Sequence, residues 1–274
     1  MRKTIVSGAI APLVAPLVAF AALAAGAFGV AAESVSAFET DQAPPEHHWH
    51  FQGPFGTYDR AAAQRGYQVY AEVCSACHSL ELLAYRNLED LGLTENQVKG
   101  LIKDISVFDL NDDGQPADRP AKLSDRFKKP FPNAAAAAAA NNGKAPPDLS
   151  VIVKAREGGP DYIFGILTGY VPFDKLTPEQ VKEFNVGKDD NFNKYFPGHK
   201  IGMPPPLADG KVTYADGTKA TLDQEASDVV QFLTWASEPK MEDRKRTGVR
   251  VILFLLVLAG FLYAVKRQVW SDKH

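Results

Sequence analysis

A chain of 274 residues, 45% hydrophobic and 23% charged, can bury the core of one sizeable domain, which excludes an intrinsically disordered protein. Its formal net charge of −3 conceals net +1 over residues 1–37, net −9 over 38–239 from 29 acidic and 20 basic side chains, and net +5 over 240–274. An acidic body with a short basic tail is unsuited to the phosphate backbone, so no nucleic-acid partner is expected.

Arg2 and Lys3 open a run that is almost wholly apolar from Ile5 to Ala32, and Val35-Ser36-Ala37 supplies the small residues a signal peptidase needs. Residues 1–37 therefore read as a cleaved export signal, with a retained N-terminal membrane helix as the alternative. Thr57 and Asp59 are candidate caps for a helix from about Arg60 to Val73, with Ala63, Tyr67, Tyr70 and Val73 or Cys74 along one face. CSACH, Cys74 to His78, stands at the end of that helix and holds both cysteines of the chain. Strand signals are few, and 104–131 and 185–221, rich in Asp, Gly, Pro and Lys, read as long surface loops. Pro132-Asn133 leads into seven alanines and an Asn141-Asn142-Gly143 stop, a short helix with no chemistry of its own. Thr221 and Gln224 form a capping box for a helix to about Ser237, with Ala226, Val229, Val230 and Leu233 on its apolar side and Pro239 ending it.

The tail carries a second apolar run. Val251 to Val265 has no charge, but its length at ~1.5 Å per residue spans only about 22 Å of a hydrocarbon core about 30 Å thick. A helix from 247 to 270 is long enough to anchor the chain, preceded by a basic linker at 240–246 and followed by a short tail at 271–274. A buried core helix is the alternative. Orientation rules conflict here. Lys240, Arg244, Lys245, Arg246 and Arg250 precede the run and only Lys266, Arg267 and Lys273 follow it, which by itself would hold the body in the cytoplasm. The export signal takes precedence, because a chain already being translocated treats the next apolar run as a stop. Residues 38–239 are then a periplasmic domain, held on a bacterial inner membrane by one span, with the C-terminus cytoplasmic.

Shuffling this chain's residues would place its two cysteines three apart with a histidine next only roughly once in 6,000 arrangements, so chance explains CSACH poorly. A redox disulfide of the thioredoxin type wants a strand before the pair, and zinc wants more thiolates or well-placed histidines. Haem attachment accounts for each residue, with two thiols for the porphyrin vinyl groups and an adjacent imidazole for the iron. A sixth ligand is sought among few methionines: Met1 leaves with the signal, Met241 lies in the basic stretch, and Met203 stands in KIGMPPPL, where prolines stiffen the backbone. Met203 could equally fill a core gap, and His199, four residues away, competes as a ligand. His47, His48 and His50 in HHWH read as surface or packing residues, since three histidines on one loop lack a fourth partner.

VYAEVCSACHSLELLAYRNL (69–88), NNGKAPPDLSVIVKAREGGPDYIFGILTGY (141–170), GMPPPL (202–207) and the C-terminal anchor together resemble the cytochrome c1 family, the haem subunits of cytochrome bc1 complexes, over essentially the whole mature chain. The resemblance implies an all-α, class I cytochrome c-like haem domain with long loop insertions plus one C-terminal transmembrane helix. It implies one haem c bound covalently at Cys74 and Cys77, with His78 and Met203 as axial ligands. Arg156 would pair with a haem propionate, and Pro147, Tyr162 and Pro204 would wall the pocket. The implied partners are cytochrome b, the Rieske iron-sulfur protein as electron donor and a soluble or membrane-bound cytochrome c as acceptor, within a dimeric complex. Some bacterial members carry an extra cysteine pair that ties down a loop; this chain has none to spare. The rival function is another membrane-anchored c-type cytochrome that donates to an oxidase or reaction centre. No catalytic triad, phosphate loop or paired acid and base is evident, and a dihaem peroxidase would need a second CxxCH. The net −9 body offers acids for docking a basic partner, with Asp112, Asp113, Asp189 and Asp190 as candidates.

Overall fold

The computed structural model describes residues 42–111 and 113–271; the expected export signal, Asp112 and the last three residues of the expected tail lie outside them. The first helix, α1 (Arg60–Glu72), starts where Asp59 accepts a hydrogen bond from the Ala62 N–H at 3.0 Å. It ends in a short 3₁₀ turn, Cys74–Ala76, so the helix delivers the CSACH segment to the edge of the core. A longer 3₁₀ segment, Tyr85–Leu91, follows and packs on α2 (Glu95–Ile102), whose Thr94 and Gln97 form a reciprocal cap. The alanine run is α3 (Ala134–Ala140), capped by Asn133. Next come α4 (Gly159–Thr168) and the short α5 (Pro178–Glu183). The helix α6 (Leu222–Ser237), capped by Thr221, buries Ala226, Val229, Val230 and Leu233 as its periodicity requires.

The centre of the fold is the crossing of α1 with α6, against which α4 also packs. Tyr67, Tyr70, Phe127, Phe232 and Trp235 form a chain of ring contacts at 5.7–6.2 Å between centroids, and Tyr85 lies tilted against Phe127 at 4.6 Å. Close approach of the two helices depends on Gly66: a Cβ there would lie 1.9 Å from the Asp228 carbonyl oxygen. Beside it Arg65 grips the fully buried Asp228 carboxylate through Nε and Nη2, both at 2.9 Å.

The two stretches expected as loops contain short strands. β1 (Ser106–Leu110) and β2 (Pro116–Pro120) pair antiparallel, with Phe108 opposite Asp118. The Asn111 side chain, which accepts from the Asp113 and Gln115 N–H groups, shapes their turn. A second sheet runs β3 (Tyr170–Val171), β4 (Asn191–Asn193), β5 (Lys200–Ile201), all antiparallel. Strands of two to five residues are too short for a clear sequence period, and the β1–β2 hairpin is set by its turn. The molecule remains predominantly helical.

The last helix, α7 (Met241–Trp270), is continuous over 30 residues, so the basic stretch expected as a linker forms its first turns. Glu242 and Asp243 lie at its positive end. Met241, set aside in the sequence for its place in the basic stretch, is buried in the core. Glu242 accepts from the Tyr58 N–H at 2.8 Å and pairs with Arg60 at 2.9 Å, while the Lys245 ammonium donates to the carbonyls of Phe51 and Gly56. Beyond this base the helix is long and apolar enough to cross a membrane, and none of that apolar window is buried.

Candidate functional site

His78 and Pro147, 69 residues apart, meet: the imidazole Nδ1 lies 2.8 Å from the Pro147 carbonyl oxygen. A carbonyl can only accept, so Nδ1 carries the proton and the lone pair is left on Nε2. Burial lowers the His78 pKa below the ordinary histidine range, against a smaller opposing pull from that hydrogen bond and from Asp148, which keeps the ring neutral. The ring is thus oriented and in the protonation state a metal requires. Cys74 and Cys77 are unbridged, and both the Cys77 and His78 N–H groups donate to the Cys74 carbonyl, which coils the five residues into one tight turn. Burial pushes the Cys74 thiol up to about 12.

Side chains that the sequence reading assigned no role hold Pro147 in place. Asp148 accepts from Ser79 Oγ at 2.9 Å and from the N–H groups of Glu81 and Ser150 at 2.8 Å, and buried Ser150 accepts from the Leu82 N–H at 3.0 Å. Burial alone would raise the Asp148 carboxyl, but these hydrogen bonds outweigh it and hold the group below the ordinary aspartate range. The Leu149 N–H adds a bond to the Ser79 carbonyl at 2.9 Å. Residues 147–150 are therefore stapled to 78–82. Tyr70, on α1, donates to the His78 carbonyl at 3.1 Å. An Asp two residues before a Ser is a turn-forming pattern, which is the one local signal that could have flagged Asp148.

Met203 lies on a separate loop, half-buried against the same core cluster as Cys74 and Tyr162. Tyr170 donates its hydroxyl to the Met203 carbonyl at 3.0 Å, and its own pKa is raised by burial. The Lys144 side chain passes close to Gly202, where a Cβ would come within 2.6 Å of its Cδ. Pro147 and Pro204 are both exposed. His199, the competing ligand, is buried: its ring stacks on Phe192 at 5.2 Å, contacts Phe184 at 4.2 Å, and places Nδ1 3.0 Å from the Asn193 carbonyl oxygen. That enclosure makes it a packing residue.

Arg156 is exposed, bonds only the Ala155 carbonyl, and has no acidic partner among the described residues. Its charge reaches Tyr162, lowering slightly a hydroxyl pKa that burial raises. In HHWH, His47 packs on Trp49 and Phe164, while the His47 N–H and the Trp49 indole both donate to Asp161. Among the described residues no group of three or more His, Cys, Asp and Glu is placed to hold a metal ion. Of the docking acids, Asp113 and Asp189 are exposed, whereas Asp190 accepts from the Gly187 N–H and lies 3.5 Å from Lys200, so it closes its own turn.

The Cytochrome C1 family model matches residues 49–273. The chain belongs to that family. It is 47% identical to cytochrome c1 of Rhodospirillum rubrum over 82% of this chain and 87% of the relative. It is 44% identical to cytochrome b/c1 of Bradyrhizobium diazoefficiens over 94% of this chain, which spans only 40% of that relative's length. It is also 45% identical to the mitochondrial cytochrome b-c1 complex catalytic subunit of Candida albicans over 88% of this chain and 82% of the relative. Membership bears out the family resemblance of the CSACH, PPDLS and MPPP segments and the helical fold class, and it makes the chain a haem-carrying, membrane-anchored protein of electron transport. The residues present fit a haem c. The donor set is two neighbouring thiols, a neutral imidazole with its Nε2 lone pair free and a thioether, while Arg156 supplies an unpaired cation.

Proposed function

We propose that this chain is the electron-transfer subunit of a cytochrome bc1 complex, taking an electron from the Rieske iron-sulfur protein and passing it to a mobile cytochrome c. Cys74 and Cys77 would hold one haem covalently, His78 and Met203 would be its axial ligands, Arg156 would face a propionate, and Pro147, Tyr162 and Pro204 would wall the pocket. Such a haem would supply single-electron transfer. The chain's own residues do the rest. The observation that carries the reading is the His78 Nδ1 to Pro147 carbonyl bond at 2.8 Å, which leaves the Nε2 lone pair free for a ligand next to both cysteines. Tyr170 steadies the Met203 backbone. Fixing both ligand segments to one core keeps reorganisation small when charge changes. The Candida relative, named as a cytochrome b-c1 complex catalytic subunit, supports the assignment to a bc1 complex. The haem domain would lie in the periplasm with cytochrome b as neighbour in a dimeric complex.

The test is purification in mild detergent followed by optical spectroscopy. Cytochrome b and a Rieske protein are expected to copurify, and quinol is expected to reduce the haem in the membrane. The oxidised wild type should show a sulfur-to-iron charge-transfer band that disappears in Met203→Leu. Survival of that band in the variant overturns the ligand assignment, and failure of both partners to copurify overturns the complex assignment.

A further inference from the structure

Segment 208–221 runs from the end of the GMPPPL stretch to the start of α6 without regular structure, yet its Val212 and Tyr214 are buried while Lys211 and Thr213 face out. Its ends are drawn together by the Gly210 N–H on the Ala220 carbonyl at 2.6 Å and the Leu222 N–H on Asp209 at 2.8 Å. Where it meets α6 lies Glu225, a carboxyl with 0% exposure. One oxygen, Oε1, accepts from the Val212 N–H at 3.0 Å. The other, Oε2, has no hydrogen-bond partner among the described residues, and neither has the buried Tyr214 hydroxyl. A carboxylate buried with one oxygen unused is costly unless a cation compensates it.

The neighbouring charges are committed elsewhere. From α1, Arg65 is taken by Asp228 through Nε and Nη2 at 2.9 Å and by Asp216 at 3.1 Å, while Glu72 is bonded to Gln68, whose amide also reaches the Thr213 carbonyl. On the segment itself, Asp209 and the exposed Lys211 act on Glu225 in opposite directions. The positive end of α6, which favours a carboxylate, is already met by Asp209, by the Thr221 hydroxyl on the Gln224 N–H and by Asp223. Burial therefore dominates and moves the Glu225 carboxyl above the ordinary glutamate range, against the pull of the Val212 and Lys211 N–H groups. Protonation supplies both orphaned atoms: a carboxylic acid has an O–H to donate from Oε2, and the Tyr214 oxygen can accept it. Tyr214 is within electrostatic reach, since burial first, then Asp228 and Glu225, raise its hydroxyl pKa.

We propose that Glu225 is a proton-binding site of the folded domain, holding a proton on Oε2 against the Tyr214 hydroxyl while segment 208–221 is closed and releasing it to water when the segment opens. The closed state binds one more proton than the open one. Closure is thus strongest below the ordinary glutamate range and weakens as pH rises toward the raised value of Glu225. The segment is a latch that loosens with rising pH, on the stretch of chain that follows the Met203 loop. It needs neither the haem ligands nor a partner subunit, so it does not rest on the assignment to a bc1 complex.

The test is hydrogen–deuterium exchange of the full-length, haem-loaded, detergent-solubilised protein, read by mass spectrometry between about pH 5 and about pH 9 with the intrinsic pH dependence of exchange divided out. Protection of 208–221 in wild type should fall by up to about tenfold per pH unit, the slope of one proton released on opening, and then level off. In Glu225→Gln, which keeps an acceptor for the Val212 N–H, that protection should be flat, as should the protection of α2 in both proteins. Infrared spectra at about pH 6, where exposed carboxyls are ionised, should show a carboxylic acid carbonyl band that is missing in Glu225→Gln and displaced in Tyr214→Phe. Equal pH slopes in wild type and Glu225→Gln, or identical carbonyl bands in the two, overturn the proposal. A band that Tyr214→Phe leaves in place overturns the contact with Tyr214.

Discussion

Gly66→Ala reverses sign between sequence and structure. In an exposed helix interior the substitution gains about 1 kcal/mol of helix propensity. Here the new Cβ would lie 1.9 Å from the Asp228 carbonyl oxygen, 2.5 Å from its carbon and 2.8 Å from Phe232 Cβ, where an ordinary contact starts at 3.4 Å. The obstructing atoms are mainly α6 backbone, which cannot swing aside, so the helices must part by about 1.5 Å, from 1.9 to 3.4 Å. Overpacking costs ~1–3 kcal/mol and occasionally more, and a gap of even ~1 Å forfeits up to about half of each dispersion contact. The interface that opens carries Tyr67, Tyr70 and Phe232 and the Arg65–Asp228 pair. We take ~4 kcal/mol of strain and lost packing against ~1 kcal/mol of propensity, which leaves a net loss of ~3 kcal/mol. For a domain of this size that is a midpoint ~6–12 °C lower. The assay is thermal unfolding of the detergent-solubilised protein followed by far-UV circular dichroism. Gly100→Ala in α2 is the control: a Cβ there meets nothing within 4 Å, so that variant should gain up to ~1 kcal/mol. A Gly66→Ala protein as stable as wild type would refute the close-crossing argument.

Asp148→Ala should cost ~2–3 kcal/mol in denaturant unfolding because it orphans Ser79 Oγ and the Glu81 and Ser150 N–H groups, and Asp148→Asn, which keeps one acceptor oxygen, should cost less than half as much. Asp228→Ala leaves the Arg65 guanidinium with only the exposed Asp216 carboxylate and should cost ~2–3 kcal/mol, whereas Arg65→Met/Asp228→Leu should recover most of that loss; equal damage in the double variant would argue against the ion pair as the cause. Glu238 is held down to about 2, first by Arg244 and then, against opposing burial, by Lys154. A depressed folded-state value stabilises the protein at pH above the ordinary glutamate range, and the contribution is lost as pH falls toward 2. After solvent screening it is on the order of 2 kcal/mol. Melting points of wild type and Glu238→Gln measured from pH 7 to pH 2 should therefore converge at the acid end, and a constant difference would contradict the linkage.

Much of this molecule is legible one segment at a time. Asp59, Asn133 and Thr221 cap the helices they precede, because capping is a contact over three residues. The apolar face of α6 and the length of the last helix follow from periodicity and hydropathy, and CSACH follows from spacing. The cofactor class was therefore set by sequence alone. Other features belong to pairs of residues far apart in the chain. The Pro147 carbonyl that fixes the His78 tautomer, the Asp148 staple and the Tyr170 support of Met203 each join segments 33 to 69 residues apart, and no local pattern encodes such a meeting. His199 reads as a competing ligand in sequence, and in the structure its ring is enclosed between Phe184 and Phe192. Gly66 looks like a weak point in a helix until α6 is laid across it, and the basic turns of α7 look like topology signals until Asp90, Glu238 and two carbonyls take up three of their charges. What the sequence determined is the chemistry each side chain can offer and the period that folds it locally. The tertiary structure decided which lone pair, which face and which charge is left free, because that depends on what other segments have already occupied.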